Sequence, residues 1–195
     1  HLRGIRIFRT VFASTIATSL AVASMLWIVL FEPTTGVLNH LLEALGQDPV
    51  DVLGNRRTAL IGVSLATVWQ NLGLVFVVTI AAMQSIPDVL HESARIDGHG
   101  AASRFAWITL PLLGPQLLFL TVVLTIGSFQ TFAQIDILTE GGPRDSTDVV
   151  VYAIVRDMPL DQGRASVEAV LLFLVVGTLS AIQFRWLDRR VHYAI

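Results

Sequence analysis

The sequence predicts an all-α fold, a polytopic transmembrane helical bundle, and three observations carry that reading. Of the 195 residues 53% are hydrophobic and only 14% are charged, where a soluble domain carries roughly a quarter charged. Four stretches run long enough without charge to cross a bilayer. The charges that remain sort by side when alternate connections between those stretches are compared.

Crossing a hydrocarbon core of about 30 Å takes about 20 apolar residues in a helix. The first such stretch lies between Arg9 and Glu32, and the second between Arg57 and Asp88, with a polar patch in its middle. The third runs from Phe105 to Ile135 and includes Pro111 and Pro115, so its first part is expected at the interface and its crossing to start near Leu112. The fourth is bracketed by Glu168 and Arg185 and spans the membrane once Ala165–Val167 and Trp186–Leu187 are added. All four are apolar all round, whereas a soluble bundle needs polar outward faces.

Arginine counts orient the bundle. The N-terminal arm, the loop near 84–109 and the tail after Phe184 hold Arg3, Arg6, Arg9, Arg95, Arg104, Arg185, Arg189 and Arg190 against Asp88, Glu92, Asp97 and Asp188, for +4. The other connections hold Arg56, Arg57, Arg144, Arg156 and Arg164 against eleven carboxylates, for −6. Both termini and the 84–109 loop are therefore placed in the cytoplasm and the acidic loops outside. The sequence begins at His1, which reads as the edge of a fragment whose N-terminal span or spans lie upstream; residues 1–195 form one transmembrane domain with the loop 84–111 inside it.

Between the spans, the outward loop 32–57 spaces Leu38, Leu41, Leu42 and Leu45 as a short surface helix ended by Gly46. The outward loop 136–166 opens on the turn signal Gly141-Gly142-Pro143. Its following VVVYAIVRDM fits strand or helix, and periodicity does not decide between them.

Whole classes of chemistry are excluded. All thirteen basic residues are Arg and there is no Lys or Cys, which rules out a phosphate loop ending in Gly-Lys-Ser/Thr, thiolate metal sites and Cys nucleophiles. His91-Glu92 lacks the second His of a zinc-protease helix, since Arg95 stands in its place. Gly62–Ala66 misses the last Gly of a nucleophile elbow, and Gly98-His99-Gly100 lacks the third Gly of a dinucleotide loop. Neither a catalytic site nor a metal site is expected.

The loop after the second span, QSIPDVLHESARIDGHGAASRFAWITLPLL, is the informative one. Ser85 with Asp88 gives a capping pattern and Pro87 suits a first turn. A helix to about Asp97 should stop at Gly98 in the left-handed conformation, with Gly100 easing the change of direction. A second short helix from Ala101 carries Phe105 and Ile108 to Leu110-Pro111. Two helices joined at a glycine bend are expected to form a knob rather than a pocket.

These residues resemble the cytoplasmic signature of the membrane permeases of bacterial ATP-binding-cassette importers that work with an external binding protein: Glu-Ala-Ala, three residues, Gly, nine residues, Ile, one residue, Leu-Pro. Here Glu92-Ser93-Ala94, Gly98, Ile108, Leu110 and Pro111 stand at that spacing, with Asp97 before the bend and Ser93 replacing the usual Ala. The resemblance implies that the knob sits in a cleft of an ATPase subunit, Glu92 pairing with a basic group, Ala94 allowing close approach and Gly98 making the bend. LWIVLFEP, AAMQSIP, FQTFAQIDILTEGGP, VYAIVRD and QFRWLDRRVHY extend it over nearly the whole chain, toward permeases of glycerol-3-phosphate and glycerophosphodiester uptake; relatives carrying disaccharides mark the alternative solute. Members have about six spans, of which this chain supplies what looks like the last four. The implied partners are a second, similar permease, two ATPase subunits that bind the ATP and Mg, and an extracytoplasmic solute-binding protein. The permease itself is expected to need no cofactor and to catalyse no reaction. The competing class is a non-transport structural membrane subunit.

Two further groups of residues are singled out. Trp69, Gln70 and Asn71 in the second span, with Phe129, Gln130, Phe132 and Gln134 in the outer half of the third, are candidates to line a translocation path, because polar groups at membrane depth usually face the bundle interior. Helix-to-helix hydrogen bonding explains the same residues equally well. Gly141, Gly142 and Pro143 are the candidate contact for the external binding protein.

Overall fold

The computed structural model describes residues 5–188, and side chains within 7–186. His1, Arg3, Arg189, Arg190 and His192 lie outside the described residues, as do the side chains of Arg6 and Asp188. Among the described residues the chain is helical with no strand: α1 (Ile5–Ala17), α2 (Leu20–Phe31), α3 (Val37–Ala44), α4 (Ala59–Gln84), α5 (Asp88–Ile96), α6 (Ala101–Arg104), a π-turn (Phe105–Thr109), α7 (Leu110–Leu112), α8 (Gly114–Phe129), α9 (Ala133–Leu138), α10 (Val150–Asp157) and α11 (Gln162–Asp188). Two helices, Ala59–Gln84 and Gln162–Trp186, are long and apolar enough to cross a membrane; two bent pairs raise the number to four if each is one span.

The four apolar stretches are thus recovered, but two of them are not straight. The first breaks at Thr18-Ser19, where α1 and α2 meet at 107°. Ser14, Thr15 and Thr18 hydroxyls donate to the carbonyls of Val11, Phe12 and Ser14, back-bonding that bends helices. Ser19 then starts α2 as its N-cap, accepting from the Val22 N–H at 3.3 Å. The third stretch bends by 63° at Leu113, between α7 and α8, so the straight segment begins at Gly114, close to the expected Leu112, and ends at Phe129 rather than continuing to Ile135.

The contacts divide the chain into two compact units: residues up to Gly73 with Ser128–Leu174, and Leu74–Gly127 with Val175 onward. In the first unit α2 packs on α9 and α3. Its core is Val63, Ala66, Ile135 and Leu138, flanked by Trp27, Leu53, Val149 and Tyr152. Ala23 and Ser24 on α2 are fully buried, small side chains that let backbones approach where lipid supplies no hydrophobic drive. The loop 32–57 is tied by Asn39, whose amide nitrogen donates to the carbonyls of Pro33 and Val50 while its oxygen accepts from the Val50 N–H. Its helix α3 ends as predicted: Gly46 is left-handed, and the Gln47 N–H reaches back to the Leu42 carbonyl at 2.9 Å. The segment VVYAIVRD, ambiguous in sequence, is the helix α10, and Arg156 and Arg164 join it to α11 through Asp157.

The second unit holds α5, α6, the π-turn, α7 and most of α8. Gln183 on α11 donates to the Thr125 hydroxyl on α8 at 2.9 Å. Along α11, Phe173, Leu174 and Phe184 are exposed in the chain alone, the surface expected where lipid is the solvent.

Candidate functional site

The connection from Ser85 to Leu113 is built from the residues singled out above. Pro87 is the N-cap of α5, not part of its first turn, and no side chain caps there. The capping pattern expected of Ser85 does not form, because its hydroxyl donates instead to the Ala82 carbonyl of the preceding helix at 2.8 Å. With Asp88 in the first turn and Arg95 in the last, α5 carries charges that suit its dipole.

The bend is the predicted one in detail. Asp97 is the C-cap, Gly98 takes φ +82°, its N–H donates to the Arg95 carbonyl at 3.1 Å, and the His99 N–H donates to the Ala94 carbonyl at 2.9 Å. That pair of bonds is the Schellman arrangement, and the left-handed residue it requires favours glycine. Nothing lies within 4 Å of where a Gly98 Cβ would stand, so conformation alone selects glycine here.

Around the bend, Ala94 is buried while Glu92 and Ser93 are exposed on the same helix. Ser93 turns its hydroxyl back to the Leu90 carbonyl at 3.2 Å, which explains why it can stand where Ala is usual. Ile108 is half-buried, and Leu110 and Pro111 are exposed. The helix widens to a π-turn over Phe105–Thr109 directly before Pro111. A proline ring crowds the carbonyl four residues back and supplies no N–H, and the wider turn relieves both. The two helices do not close into a featureless knob: an open cleft of about 250 Å³ lies between them, walled by Ser93, Ala94, Asp97, His99, Ser103 and Ile108. The sequence reading missed Val89, Ile96 and Trp107, large apolar side chains on this loop that are 70%, 87% and 79% exposed. Their sequence signal was present, since apolar residues on a charged loop that find no core mark a contact surface.

The path candidates do not form one lining. Gln134 is 2% exposed and its carbonyl accepts from the Thr67 hydroxyl at 2.6 Å. Gln70 donates to the carbonyls of Thr15 and Thr18 at 2.9 and 3.0 Å, satisfying the broken end of α1, and Asn71 donates to the Thr67 carbonyl. Trp69 meets Trp27 edge-on at 6.2 Å, and both border an apolar cavity of about 520 Å³ with Leu26, Leu30 and Val37. Phe132 stacks on Tyr152 at 5.5 Å. Phe129 ends α8 half-buried, and Gln130 is exposed.

Of the turn 141–143, Gly141 is buried beneath Tyr152, whose ring a Cβ would strike at 2.6 Å, whereas Gly142 and Pro143 are half-buried. Burial and the carboxylates of Asp136 and Glu140 push the Tyr152 hydroxyl above its ordinary pKa. Among the described residues no group of three or more His, Asp or Glu converges as metal ligands do.

Residues 4–193 match the model of the family described as binding-protein-dependent transport system inner membrane component. The chain is 41% identical over 195 residues to the sn-glycerol-3-phosphate transport system permease protein UgpA of Yersinia enterocolitica, covering 98% of this chain and 66% of that protein. It is 38% identical to the UgpA permease of Brucella abortus over 198 residues, 99% of this chain and 67% of that one. The chain therefore spans about two thirds of the length of these relatives. Among solved structures, the bacterial ABC transporter involved in the import of the acidic polysaccharide alginate superposes with a TM-score of 0.85 at 23% identity, over 97% of this chain and 68% of that one. A second structure of an alginate ABC transporter, in complex with an alginate pentasaccharide-bound periplasmic protein, gives 0.79 at 23% identity. These two share its fold.

Proposed function

We infer the function of this chain from one premise: it belongs to the family of binding-protein-dependent transport system inner membrane components. It is a pore-forming permease subunit of an ATP-driven importer, paired with a second, similar permease and seated on two ATPase subunits that bind the ATP and Mg. An extracytoplasmic protein delivers the solute. Both termini and the 84–111 loop face the cytoplasm, as the arginine asymmetry supports.

The observation that carries this reading is the turn at Gly98. It presents exposed Glu92 beside buried Ala94 on one side of a left-handed bend and exposed Trp107 and Leu110 on the other. Such a two-helix projection with exposed apolar side chains suits a socket in a moving partner. ATPase closure pushes on α5 and α6 and is passed to the membrane helices through α4 and α8.

The solute is glycerol-3-phosphate, supported by the printed names of relatives near 40% identity; a glycerophosphodiester rests on the sequence resemblance alone. Gln70 and Gln134 serve the bundle as interhelical bonds and Asn71 bonds within α4, which leaves Trp69, Phe129, Gln130 and Phe132 for passing contact with solute.

Gly98→Pro in the full transporter tests the coupling role. Proline cannot adopt φ +82° and removes the N–H bound to Arg95. The variant should insert and co-purify, with ATP hydrolysis no longer producing solute entry; normal uptake would refute the coupling role. Which solute the cognate binding protein retains identifies the cargo.

A further inference from the structure

A phosphate ester entering from outside meets loops whose formal charges sum to −6, which opposes its approach. Six of the eleven carboxylates behind that sum are engaged. Arg156 holds Asp148 and Asp157 at 2.5 and 3.0 Å, and Arg164 holds Glu168 at 2.9 Å. Glu32 accepts from the N–H and hydroxyl groups of Thr34 and Thr35. Asp161 accepts from the Arg164 N–H, and Asp51 from the Gly54 N–H at 2.8 Å. Charges beyond about 8 Å are largely screened at physiological salt, so what a solute meets is decided locally.

Three of the five outer arginines are left over, Arg56, Arg57 and Arg144, and two of them meet. Among the described residues neither Arg56 nor Arg144 takes part in a salt bridge, and together with Asp51, Gly54, Asn55 and Pro143 they wall an open cleft of about 430 Å³. The cleft is built from two loops distant in sequence. Its 143–144 side is fixed from within: the hydroxyl of fully buried Thr147 donates to the Gly142 carbonyl at 2.8 Å and bonds the Thr139 hydroxyl at 2.7 Å, and the Ser146 N–H donates to the Pro143 carbonyl. This frame holds Arg144 at φ +50° and Asp145 at φ +59°, costly for residues with a Cβ and kept only where the surroundings impose them. On the opposite side the Asn55 side-chain oxygen accepts from the Arg57 N–H at 2.9 Å, which leaves its side-chain amide nitrogen to donate.

We propose that this cleft is an oxyanion site, in which Arg56 and Arg144 receive the phosphate group of the incoming solute at the outer face of the permease. It rests on the importer reading above. The planar guanidinium fork matches phosphate oxygens in pairs, and the volume lies within the roughly 300–1,000 Å³ of small-molecule sites. Asp51 in the same wall selects the occupant. It suits a solute with hydroxyl groups beside its phosphate and opposes the carboxylate-rich rim of an acidic protein.

The double variant Arg56→Gln, Arg144→Gln in the complete transporter, with co-purification of its subunits as the folding check, tests the site. Glycerol-3-phosphate uptake at saturating loaded binding protein should fall about tenfold, the order of a lost charged hydrogen bond. The half-saturating concentration of binding protein should not move, and Arg56→Lys, Arg144→Lys should recover part of the rate. The same loss should appear in solute-stimulated ATP hydrolysis in maltoside detergent, where no phosphate headgroup is present. Unchanged uptake overturns the proposal. So does a rise in half-saturating binding protein, which would make the cleft a protein contact, or a loss confined to phospholipid vesicles, which would make its ligand a lipid headgroup. Wild-type complex that imports no phosphate ester would refute the phosphate-ester cargo on which the proposal rests, a result distinct from these.

Discussion

The Thr67 hydroxyl on α4 donates to the side-chain carbonyl of Gln134 on α9 at 2.6 Å, and Gln134 is 2% exposed. The bond ties two helices 67 residues apart and borders the core formed by Val63, Ala66, Ile135 and Leu138. Gln134, one of the candidates to line the path, thus takes part in a bond between helices. Thr67→Val keeps the volume and strands the buried carbonyl, and should cost about 1 kcal/mol, the order of interhelical bonds in membranes. The double variant Thr67→Val, Gln134→Leu should recover much of that loss, because neither polar partner is left unpaired. Thermal unfolding in detergent, read as a double-mutant cycle, checks this.

At Gly98 the space for a Cβ is open and only the backbone angle is demanding. Gly98→Ala should cost about 1–2 kcal/mol from left-handed strain, and Gly98→Asn less, since asparagine tolerates that region. Coupling of hydrolysis to uptake should follow the same order, with glycine best, asparagine next and alanine last.

Gly73 makes the opposite demand. A Cβ there would run into the Thr15 hydroxyl and the Phe12 carbonyl, and the Gly73 N–H donates to that same hydroxyl at 2.9 Å. Gly73→Ala should lose about 1–3 kcal/mol by overpacking α1 against α4. The companion change Thr15→Ala should give part of this back, measured as the melting temperatures of the single and double variants.

Glu32 accepts from the N–H and hydroxyl groups of Thr35 and Thr34, which lowers its pKa from the ordinary 4.5 to about 2. A depressed carboxylate contributes stability that is fully present above its unfolded pKa and is lost as pH falls through the folded value. The melting temperature of the wild type should thus fall between pH 4.5 and about pH 2 more steeply than that of Glu32→Gln. Parallel curves for the two proteins would show that the Glu32 turn contributes nothing.

Legibility followed how local the cause was. Gly46 and Gly98 ended their helices as read, because a helix stop depends on the few residues around it. The π-turn before Pro111 has an equally local cause in the proline ring, yet its consequence, a widened turn, depends on which neighbour yields. The break at Thr18-Ser19 had its signal in Ser14, Thr15, Thr18 and Ser19, but back-bonding hydroxyls also occur in unbroken helices. What makes the break tenable is Gln70, 52 and 55 residues away, capping the carbonyls it frees.

The sequence by itself determined that this protein is an all-helical membrane chain, where its apolar stretches lie, and which loop carries the glycine bend, because hydropathy, helix caps and motif spacing are written in neighbouring residues. Only the tertiary structure decided which polar residues are spent on the bundle and which remain free. Gln70 and Gln134 turned out to be bonded across helices. Asp148, Asp157 and Glu168 turned out to be paired, and Arg56 and Arg144, 88 residues apart, turned out to share one cleft. Hydrogen bonds and ion pairs depend on atoms within about 3–4 Å of each other, and in a folded chain such neighbours are brought together by packing that no local window of sequence contains.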